Sequence, residues 1–523
     1  MSTAPCYQKY FLIGFGTSLL IGGTLLSGFW PAITRAVLKP QLVLSNHSQS
    51  FDMWKETPLP IYMDFYFFHW ANPERTLDGT ETPKFVEKGP YVFREYHTKA
   101  NISWNDNNTV TFMQIRKWIF MQNLTKPGLS LDDKINSVNP IAYTVSALLK
   151  RKNFTMVERL AIDSVLRIWK TKMYITKPIR QLLFEGYEDP LLSALQSIKK
   201  ILPIPISTNK FGWFYQHNMS SEFDGVLNMG TGADSLKNLG IMQNWDYKSD
   251  TGFFKGECGK IGGTTGEVWP PDSAKGDHVT LFAPDLCSSL NLHRGNSTEV
   301  QGLQGTVFEG QENVFDNGTK YPENKCYLNN VTTSVRTGVR CMSSCRFGAP
   351  IYISFPHFYL ADPTYAGAIS GMNSSGSHQF QMILEENTGI PLKVNARLQI
   401  NIKSSPTPGY GIFDHLPDVF LPVLWFDQHM YITPELAKSI WIISVVPGYI
   451  TYGLITVAVL GAILLFWGVL LARRDCRRTA DMQELLKDTD DQPISAPPPS
   501  DPSPVIDPPS TNVASQARAI QGK

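Results

Sequence analysis

Two long apolar stretches without a charged residue lie near opposite ends of this chain of 523 residues. They cover residues 11–30 and 440–472, and both reach the length of about 20 apolar residues that a helix needs to cross a bilayer. The pattern predicts two transmembrane helices that hold one large domain, residues 31–439, on the far side of a membrane. This topology disfavours most classes of cytosolic enzyme.

Two independent signals indicate the side of the membrane on which each part lies. Basic residues next to a span stay cytoplasmic, and four arginines follow the second stretch: Arg473, Arg474, Arg477 and Arg478. The glycan acceptor pattern Asn-x-Ser/Thr occurs ten times, always between the spans, which indicates a lumenal or extracellular domain. The acceptors are Asn46, Asn101, Asn107, Asn123, Asn153, Asn218, Asn296, Asn317, Asn330 and Asn373. We therefore expect cytoplasmic termini, residues 1–10 and 473–523, of which the Pro- and Ser-rich second is expected to be disordered.

The first stretch has an alternative interpretation as a cleaved secretory signal. Signal cores are about 7–15 residues long and end at small residues, whereas this stretch is longer and ends in Phe29-Trp30-Pro31, so a retained span fits better. Gly14, Ser18 and Gly22 recur at four-residue spacing, which predicts a seam for close helix packing and leaves self-association of the chain open. Glycine is also common in membrane helices in general, so the spacing alone does not decide.

Composition and motifs argue against catalysis and against nucleic-acid binding. The net charge is only +1 and charged residues make up 18% of the chain, which is too balanced for a nucleic-acid surface. The sequence has no Gly-x-Ser-x-Gly elbow, no paired carboxylates and no metal-ligand spacing. We expect neither enzymatic activity nor a metal or cofactor. Aromatic residues reach 12%, which suits a large apolar interior or one that handles lipid.

Cysteine usage fits an oxidising compartment for the large domain. Five cysteines lie in its second half: Cys258, Cys287, Cys326, Cys341 and Cys345. Since five is odd, one thiol must stay free or pair outside the chain. Cys6 and Cys476 lie at the predicted cytoplasmic faces of the spans, where reversible palmitoylation is common, although unmodified thiols explain the same positions.

Residue patterns predict strands in two parts of the large domain. Residues 89–96 and 109–113 are rich in aromatic and β-branched side chains and flank a polar turn, which is typical of a β-hairpin. In residues 392–403 apolar and polar side chains alternate, and this period of two predicts one buried face and one wet face.

The pattern changes to that of helices between residues 131 and 200. Apolar residues follow 3–4 spacing from Val157 to Trp169, and Thr155 with Glu158 forms a capping box at the helix start. Residues 131–210 carry thirteen Lys or Arg against seven Asp or Glu. This surplus is typical of a solvated helical face, and a docking surface for anionic ligands is the alternative.

The predicted cytoplasmic tail contains an acidic dileucine pattern, formed by Asp481, Leu485 and Leu486. Such a pattern binds a sorting adaptor by inserting two leucines into a groove while the acidic residue pairs with a basic patch. The end of a juxtamembrane helix explains the same residues, so both interpretations stay open.

Four segments, in order along the chain, resemble class B scavenger receptors. They are Gly89 to Glu95 (GPYVFRE), Leu182 to Pro190 (LLFEGYEDP), Gly262 to Glu267 (GGTTGE) and Cys345 to Phe358 (CRFGAPIYISFPHF). That family includes the fatty-acid translocase, the high-density-lipoprotein receptor, the lysosomal integral membrane protein and the insect sensory neuron membrane proteins. The resemblance covers both spans and the domain between them, and the last segment looks closer to invertebrate members.

The resemblance implies an α+β membrane protein whose ectodomain has an antiparallel β-barrel core and an apical helical bundle, residues 131–200. It implies a cell-membrane receptor that binds ligands at the apex and passes lipid through an apolar tunnel towards the bilayer. The expected ligands are fatty acids, sterols, carotenoids, phospholipids and lipoproteins. An apolar path suits such cargo, because each methylene kept from water is worth about 0.8 kcal/mol. The candidates for contacting anionic head groups are Lys150, Arg151, Lys152, Arg167, Lys170 and Lys172.

The resemblance also implies two long-range disulfides, Cys258 with Cys326 and Cys287 with Cys345. Each could add roughly 4 kcal/mol by the loop that it closes. Family members commonly carry a further short-range disulfide, for which only Cys341 is present, so Cys341 is either free or competes with Cys345 for Cys287. Lysosomal members carry an apical histidine that senses acidity, where this chain has Met156.

Two other functions compete with lipid capture and transfer. A sorting receptor of endosomes or lysosomes would use the dileucine pattern to carry a protein partner, but the missing apical histidine argues against acid-gated release. A ligand-gated channel shares two spans and a large oxidised ectodomain. Its spans would carry polar pore-facing residues, and the first span offers little beyond Thr17, Ser18 and Thr24.

Overall fold

The structure is a computed structural model that describes residues 6–151, 154–197, 208–328 and 335–490. The α-helices of the described residues are α1 (Cys6–Leu42), α2 (Gln49–Lys55), α3 (Pro73–Leu77), α4 (Pro140–Arg151), α5 (Met156–Ile168), α6 (Pro190–Ser197), α7 (Pro363–Gly367), α8 (Pro434–Ser444) and α9 (Val446–Asp490). The strands are β1 (Ile61–Trp70), β2 (Phe85–Asn105), β3 (Thr109–Phe120), β4 (Lys134–Val138), β5 (Tyr174–Pro178), β6 (Tyr187–Glu188), β7 (Lys210–Phe211), β8 (Val226–Gly230), β9 (Met242–Trp245), β10 (His278–Ala283), β11 (Ser288–Val300), β12 (Leu303–Glu309), β13 (Arg340–Cys341), β14 (Ile351–Ser354), β15 (Gln381–Glu385), β16 (Pro391–Lys403) and β17 (Phe420–Tyr431).

The chain divides into two compact units. One unit combines Met1–Leu26 with Leu454–Lys523, and the other is Ser27–Gly453. Two helical stretches, Gln8–Leu42 and Pro434–Leu486, are apolar and long enough to cross a membrane by length and composition. They contain the two spans that the sequence predicts.

Within the first unit the two apolar helices meet at glycines, but not at the predicted ones. A Cβ added to Gly14 or Gly22 would meet nothing within 4 Å. A Cβ on Gly16 would lie 2.9 Å from the main-chain oxygen of Gly461, and one on Gly23 would also collide with the facing helix. Within this chain the two helices therefore meet at Gly16 and Gly23, whose seven-residue spacing keeps one helix face against its partner. The four-residue seam of Gly14, Ser18 and Gly22 stays a prediction for contact with a second copy.

One antiparallel sheet forms the core of the second unit, in the strand order β10-β11-β12-β15-β16-β17-β1-β2-β3-β8-β9, with β14 paired to β16 and β13 to β14. The segment around Thr264 links its two edge strands. Thr264 N donates to Thr280 O of β10 at 3.0 Å, and Met242 N of β9 donates to Gly263 O at 2.8 Å. Gly263 has a φ of +78°, and a Cβ there would collide with Thr280 O, so this closure requires glycine. The predicted α+β class with an antiparallel β-barrel core is confirmed.

β2 and β3 form the predicted hairpin, with Asn105 opposite Thr109 at the polar turn. β16 confirms the second predicted strand but not its wet face, since Gln399 and Asn401 are fully buried. The residues that follow β14 cover this face: Gln399 Oε1 accepts from the main-chain N of His357 at 2.6 Å. Polar side chains can lie here because the covering segment satisfies their hydrogen bonds.

The region of residues 131–200 contains α4, α5 and α6, together with the two-stranded sheet of β4 and β5. α5 begins at the predicted capping box, where Glu158 N donates to the Thr155 hydroxyl at 3.3 Å and Thr155 N donates to the Glu158 carboxylate at 2.8 Å. Its buried residues are Ile162 and Leu166, one row along the helix. The apolar residues that follow 3–4 spacing are largely exposed, because α5 lies on the surface and touches the core only along the row of Ile162 and Leu166.

The structure joins the cysteines in the pairs that the family resemblance implies, Cys258 with Cys326 and Cys287 with Cys345. Cys341 stays a half-buried thiol, with its Sγ 3.3 Å from the Ser343 hydroxyl. It does not take the place of Cys345 in this arrangement. The second disulfide holds the loop after β10 against the loop that precedes β14.

Candidate functional site

A cavity of about 460 Å³ lies inside the barrel and is bounded by α4 and α6 on one side. The apolar face of β16 forms another wall. Most of the lining is aliphatic or aromatic, including Ile141, Val145, Leu192, Ala396, Leu398 and Ile400. Phe347 also lines the cavity and is 66% exposed, so the cavity meets the protein surface near this residue. A large apolar cavity with few polar groups is typical of a binding site for an apolar ligand.

A second cavity of about 210 Å³ adjoins the first, because seven residues line both. Its other walls come from the start of β1 and the end of β17, including Leu59, Ile61 and Met430. The residues that line the two cavities extend from α4 to the start of β1.

Charged side chains interrupt the apolar lining where the cavities adjoin. β2 turns Glu95, His97 and Lys99 inward at a period of two, and all three are buried. His97 Nε2 lies 2.8 Å from Glu95 Oε1, and its Nδ1 lies 2.5 Å from Glu267 Oε1. Lys99 Nζ donates to the other Glu267 oxygen at 2.5 Å, and Gln428 Nε2 donates to Glu95 Oε2 at 2.8 Å. These bonds satisfy charges that would otherwise be costly to bury.

The network continues onto β3. Lys99 donates to Gln114, and the Gln114 amide donates to Asp224 at 3.4 Å. Arg116 donates to Asp224 and, through both terminal nitrogens, to Asp285 Oδ2 at 3.1 Å. We call this connected set the polar belt: Glu95, His97, Lys99, Gln114, Arg116, Asp224, Glu267, Asp285 and Gln428. Arg116, Asp285 and Gln428 line both cavities, which places them where the cavities adjoin.

The charges of the polar belt shift the pKa values of its members. Burial by itself would lower the pKa of His97, but the adjacent carboxylates of Glu95 and Glu267 outweigh it and raise the pKa to about 9. Burial would raise the pKa of Glu267, but Lys99 and His97 bring it down to about 2. The pKa of Asp224 is raised, because its burial outweighs the attraction of Arg116. His97 and Glu267 therefore form a charged pair at neutral pH.

The raised pKa of His97 predicts a pH-dependent stability. The protonated imidazole stabilises the fold fully below its unfolded pKa of 6.5, and this contribution is lost as pH rises through about 9. We expect the free energy of unfolding to fall by about 3 kcal/mol over this interval. Thermal unfolding of the full-length protein in detergent, followed by tryptophan fluorescence, measures the effect. His97→Gln does not titrate and should flatten the slope; an equal slope in both proteins would rule out His97 as its source.

The sequence reasoning missed the polar belt, although a signal was present. Glu95, His97 and Lys99 alternate along a predicted strand with Tyr96 and Thr98. Charged residues that alternate along a strand usually lie on its solvent-exposed face. Only the closed barrel shows that this face turns inward.

The structure describes five of the six basic residues predicted to contact ligands, and several of them bond to neighbouring side chains. Lys150 and Arg151, at the end of α4, each donate to a serine of a neighbouring loop. Arg167 pairs with an aspartate one turn earlier in α5, at 2.7 Å. Lys152 lies outside the described residues.

Lys170 and Lys172 are exposed and do come together, with Lys177, along a groove of about 320 Å³. Trp169 lines the same groove, as does Tyr187, whose buried hydroxyl has no hydrogen-bond partner among the described residues. Glu188 and Asp189 line the groove as well, so it combines three basic and two acidic side chains with aromatic rings.

The outer face of α5 is apolar. Met156, Val157, Leu160 and Ile168 are 78%, 76%, 59% and 74% exposed. Exposed apolar side chains are common singly, but several on one helix face mark a surface that contacts a protein or a lipid. The helical region predicted to present basic side chains thus also presents exposed apolar ones.

The predicted modification sites are mostly accessible. Seven glycan acceptors are exposed: Asn46, Asn101, Asn107, Asn123, Asn218, Asn296 and Asn373. Asn317 is half-buried and its amide donates to Val335 O. Asn153 and Asn330 lie outside the described residues.

The predicted cytoplasmic elements lie on α1 and α9. Cys476 is an exposed thiol, and for Cys6 only the helical backbone is described. Asp481, Leu485 and Leu486 are exposed and lie near the end of α9, which ends at Asp490. This position agrees with their interpretation as the end of a juxtamembrane helix.

Comparison with known proteins places this architecture in a family. The model of the CD36 family matches residues 13–472. Protein peste of Drosophila melanogaster is 32% identical over 458 residues, which cover 86% of this chain and 79% of that protein. Scavenger receptor class B member 1 of Sus scrofa is 29% identical, with 87% of each chain covered. Lysosome membrane protein 2 of Homo sapiens is 30% identical over 87% of this chain and 92% of its own.

The match to the family model extends across both predicted spans and the barrel with its cavities. The barrel closure at Gly263 and the polar belt residues Glu95 and Glu267 lie in segments that carry the resemblance noted from the sequence. The chain is a membrane protein with two spans and belongs to the CD36 family, the class B scavenger receptors.

Proposed function

We propose that this chain is a lipid receptor rather than an enzyme, which captures lipids or lipoprotein particles at its apex and passes hydrophobic cargo through the barrel to the membrane. The observation that carries the proposal is the pair of adjoining, mainly apolar cavities, whose lining residues extend from α4 to the start of β1. We infer that the two cavities join into one passage. Relatives named as scavenger receptors support a receptor function.

The physical chemistry of the path favours an extended apolar molecule. Each methylene that stays out of water is worth about 0.8 kcal/mol, so an acyl chain or sterol gains along the whole lining. Met430, at one end of the path, lies shortly before α8, which leads along the chain into the second span.

The apolar face of α5 supplies the capturing surface in this proposal. Leu160 is 59% exposed, and burying a leucine side chain is worth about 1.5–3 kcal/mol. We expect Leu160→Asp to weaken binding of lipoprotein particles to the full-length receptor by about tenfold or more. Binding to cells that display the variant measures this effect. Leu124→Asp, at another exposed leucine, is the matched control, and equal loss in both would refute an apical site.

We infer that both termini are cytoplasmic and that the domain between the spans is glycosylated. The arginines after the second stretch support the first inference, and the seven exposed acceptors support the second. Lipid modification of Cys6 and Cys476 remains a proposal that rests on their positions beside the spans.

Sorting to endosomes or lysosomes is the second proposal for the tail. Leu485 and Leu486 are 64% and 62% exposed, as an adaptor ligand requires. We expect replacement of both by alanine to increase the fraction of receptor at the cell surface several-fold, measured by surface biotinylation. An unchanged distribution would contradict the sorting motif and leave the end of a helix as the interpretation of these two leucines.

A further inference from the structure

A polar groove of about 480 Å³ lies on the outer face of the barrel, beside the tip of the β2–β3 hairpin. Thr111 lines this groove and alternates along β3 with Val110 and Phe112, which pack in the core, so Thr111 points to the outer face. Apart from Val226, the lining residues carry hydroxyl, amide or carboxylate groups. The groove therefore suits a ligand with many hydrogen-bonding groups, unlike the cavities inside the barrel.

The floor of the groove is a row of polar side chains across three strands. Thr111, Asn228 and Asn244 are neighbours in register on β3, β8 and β9. Asn228 Nδ2 donates to the hydroxyls of Thr109 and Thr111, both at 2.9 Å. Asn228 is only 9% exposed, and its Oδ1 has no hydrogen-bond partner among the described residues. Since buried acceptors are normally satisfied, the floor of the groove lacks a donor.

An exposed tyrosine lies at the edge of the groove. Tyr247 is 79% exposed and belongs to the turn after β9, where Asp246 and Tyr247 have φ values of +48° and +62°. Residues other than glycine rarely adopt this left-handed conformation. The turn thus presents an aromatic ring beside amides and a carboxylate. A sugar fits such a surface, because its apolar C–H face packs on an aromatic ring while its hydroxyls bond to planar polar groups.

A glycan acceptor lies in the groove itself. Asn107 is exposed and lines the groove. The Thr109 hydroxyl donates to Asn107 Oδ1 at 2.7 Å, which orients the amide. Asn107 Nδ2, the atom to which a glycan is joined, has no hydrogen bond within the described part of the chain. A glycan on Asn107 therefore begins at the groove, and this tether gives its first sugars a high effective concentration there.

We propose that the groove binds the first sugars of the glycan on Asn107 and holds them against the barrel. The inference rests on the inferred glycosylation of the domain and adds a binding site for one of its glycans. Glycosylation forms a bond from Asn107 Nδ2 to C1 of the first sugar; Nδ2 loses a proton, and the lipid diphosphate that carried the sugar leaves. The hydroxyl and acetamido groups of the bound sugars supply the donors that the floor lacks, and one sugar ring packs on Tyr247.

The test measures how fast each glycan is released from the folded protein. The full-length receptor, purified in detergent from animal cells, is treated with a peptide amidase that cleaves the bond between asparagine and the first sugar. Release at each acceptor is followed by peptide mass spectrometry. We expect release at Asn107 to be at least about tenfold slower than at Asn296, an exposed acceptor on β11, because the groove covers the scissile bond. After denaturation the two rates should be similar.

Two substitutions in the groove then test the site itself. Tyr247→Ser removes the ring, and Asn244→Ala removes an amide from the floor. We expect either change to reduce the difference in release between Asn107 and Asn296 to less than about threefold. Tyr431→Ser is the matched control at another exposed tyrosine, 48% exposed, and should keep the full difference.

Equal release at Asn107 and Asn296 in the folded, unmodified protein would overturn the groove site and leave the glycosylation of the domain in place. This comparison does not depend on the folding of any variant. Protection that survives both Tyr247→Ser and Asn244→Ala would place the sugars elsewhere and also overturn the inference. An Asn107 that carries no glycan would overturn it too, and the absence of glycans at every acceptor would overturn the inferred glycosylation as well.

Discussion

Ala396→Trp should slow lipid transfer by about tenfold or more, while particle binding at the apex persists. A tenfold slower transfer corresponds to an activation free energy that is higher by about 1.4 kcal/mol. Ala396 lies on β16 and lines both cavities, so a larger side chain there projects into the junction. The assay follows a fluorescent lipid from donor particles into proteoliposomes that contain the full-length receptor.

The same variant distinguishes a passage from a solid interior. Added volume in a close-packed core typically costs 1–3 kcal/mol of stability, whereas a ring that enters an existing cavity costs much less. We therefore expect nearly unchanged thermal unfolding together with lost transfer. Ala233→Trp, at an exposed loop residue, is the matched control and should change neither quantity. Strong destabilisation with no specific loss of transfer would favour a packed core.

Arg116→Met should destabilise the ectodomain by about 3–5 kcal/mol, because it leaves Asp224 and Asp285 without their cation. Arg116 is 8% exposed and bonds to both carboxylates. Chemical unfolding of the purified protein measures the change. Addition of Asp224→Asn should recover part of the loss, since it removes one of the two stranded charges.

Arg180→Met is the control for a surface ion pair. Arg180 pairs with Asp132 at 3.1 Å, but its side chain is 46% exposed. Exposed pairs contribute about 0–1 kcal/mol, so we expect little effect. Similar losses for Arg116→Met and Arg180→Met would mean that the polar belt is as well hydrated as the surface.

Local patterns predicted the elements whose signals are local. The β2–β3 hairpin, the capping box of Thr155 and Glu158, and the strand at residues 392–403 each depend on neighbours in sequence, and each is confirmed. The two apolar stretches were equally clear, because length and lack of charge identify a span without any tertiary information.

Local patterns could not predict which face of a strand or helix is buried. Gln399 and Asn401 were expected to be wet, and they are buried because a distant segment covers them. Val157 and Leu160 follow the 3–4 spacing of an amphipathic helix, but they are exposed because α5 touches the core along a single row. Local patterns could not predict the inward charges of the polar belt either, because the closure of the barrel determines which face of β2 lies inside.

Photocrosslinking is the most direct test of the passage. A sterol with a diazirine in its apolar tail is bound to the full-length receptor, activated by light and located by peptide mass spectrometry. The account predicts labels on peptides from α4 and from β16 around Leu398, and their loss in Ala396→Trp. Labels confined to α5 and other exposed surfaces, unchanged in that variant, would contradict a lipid path through the barrel.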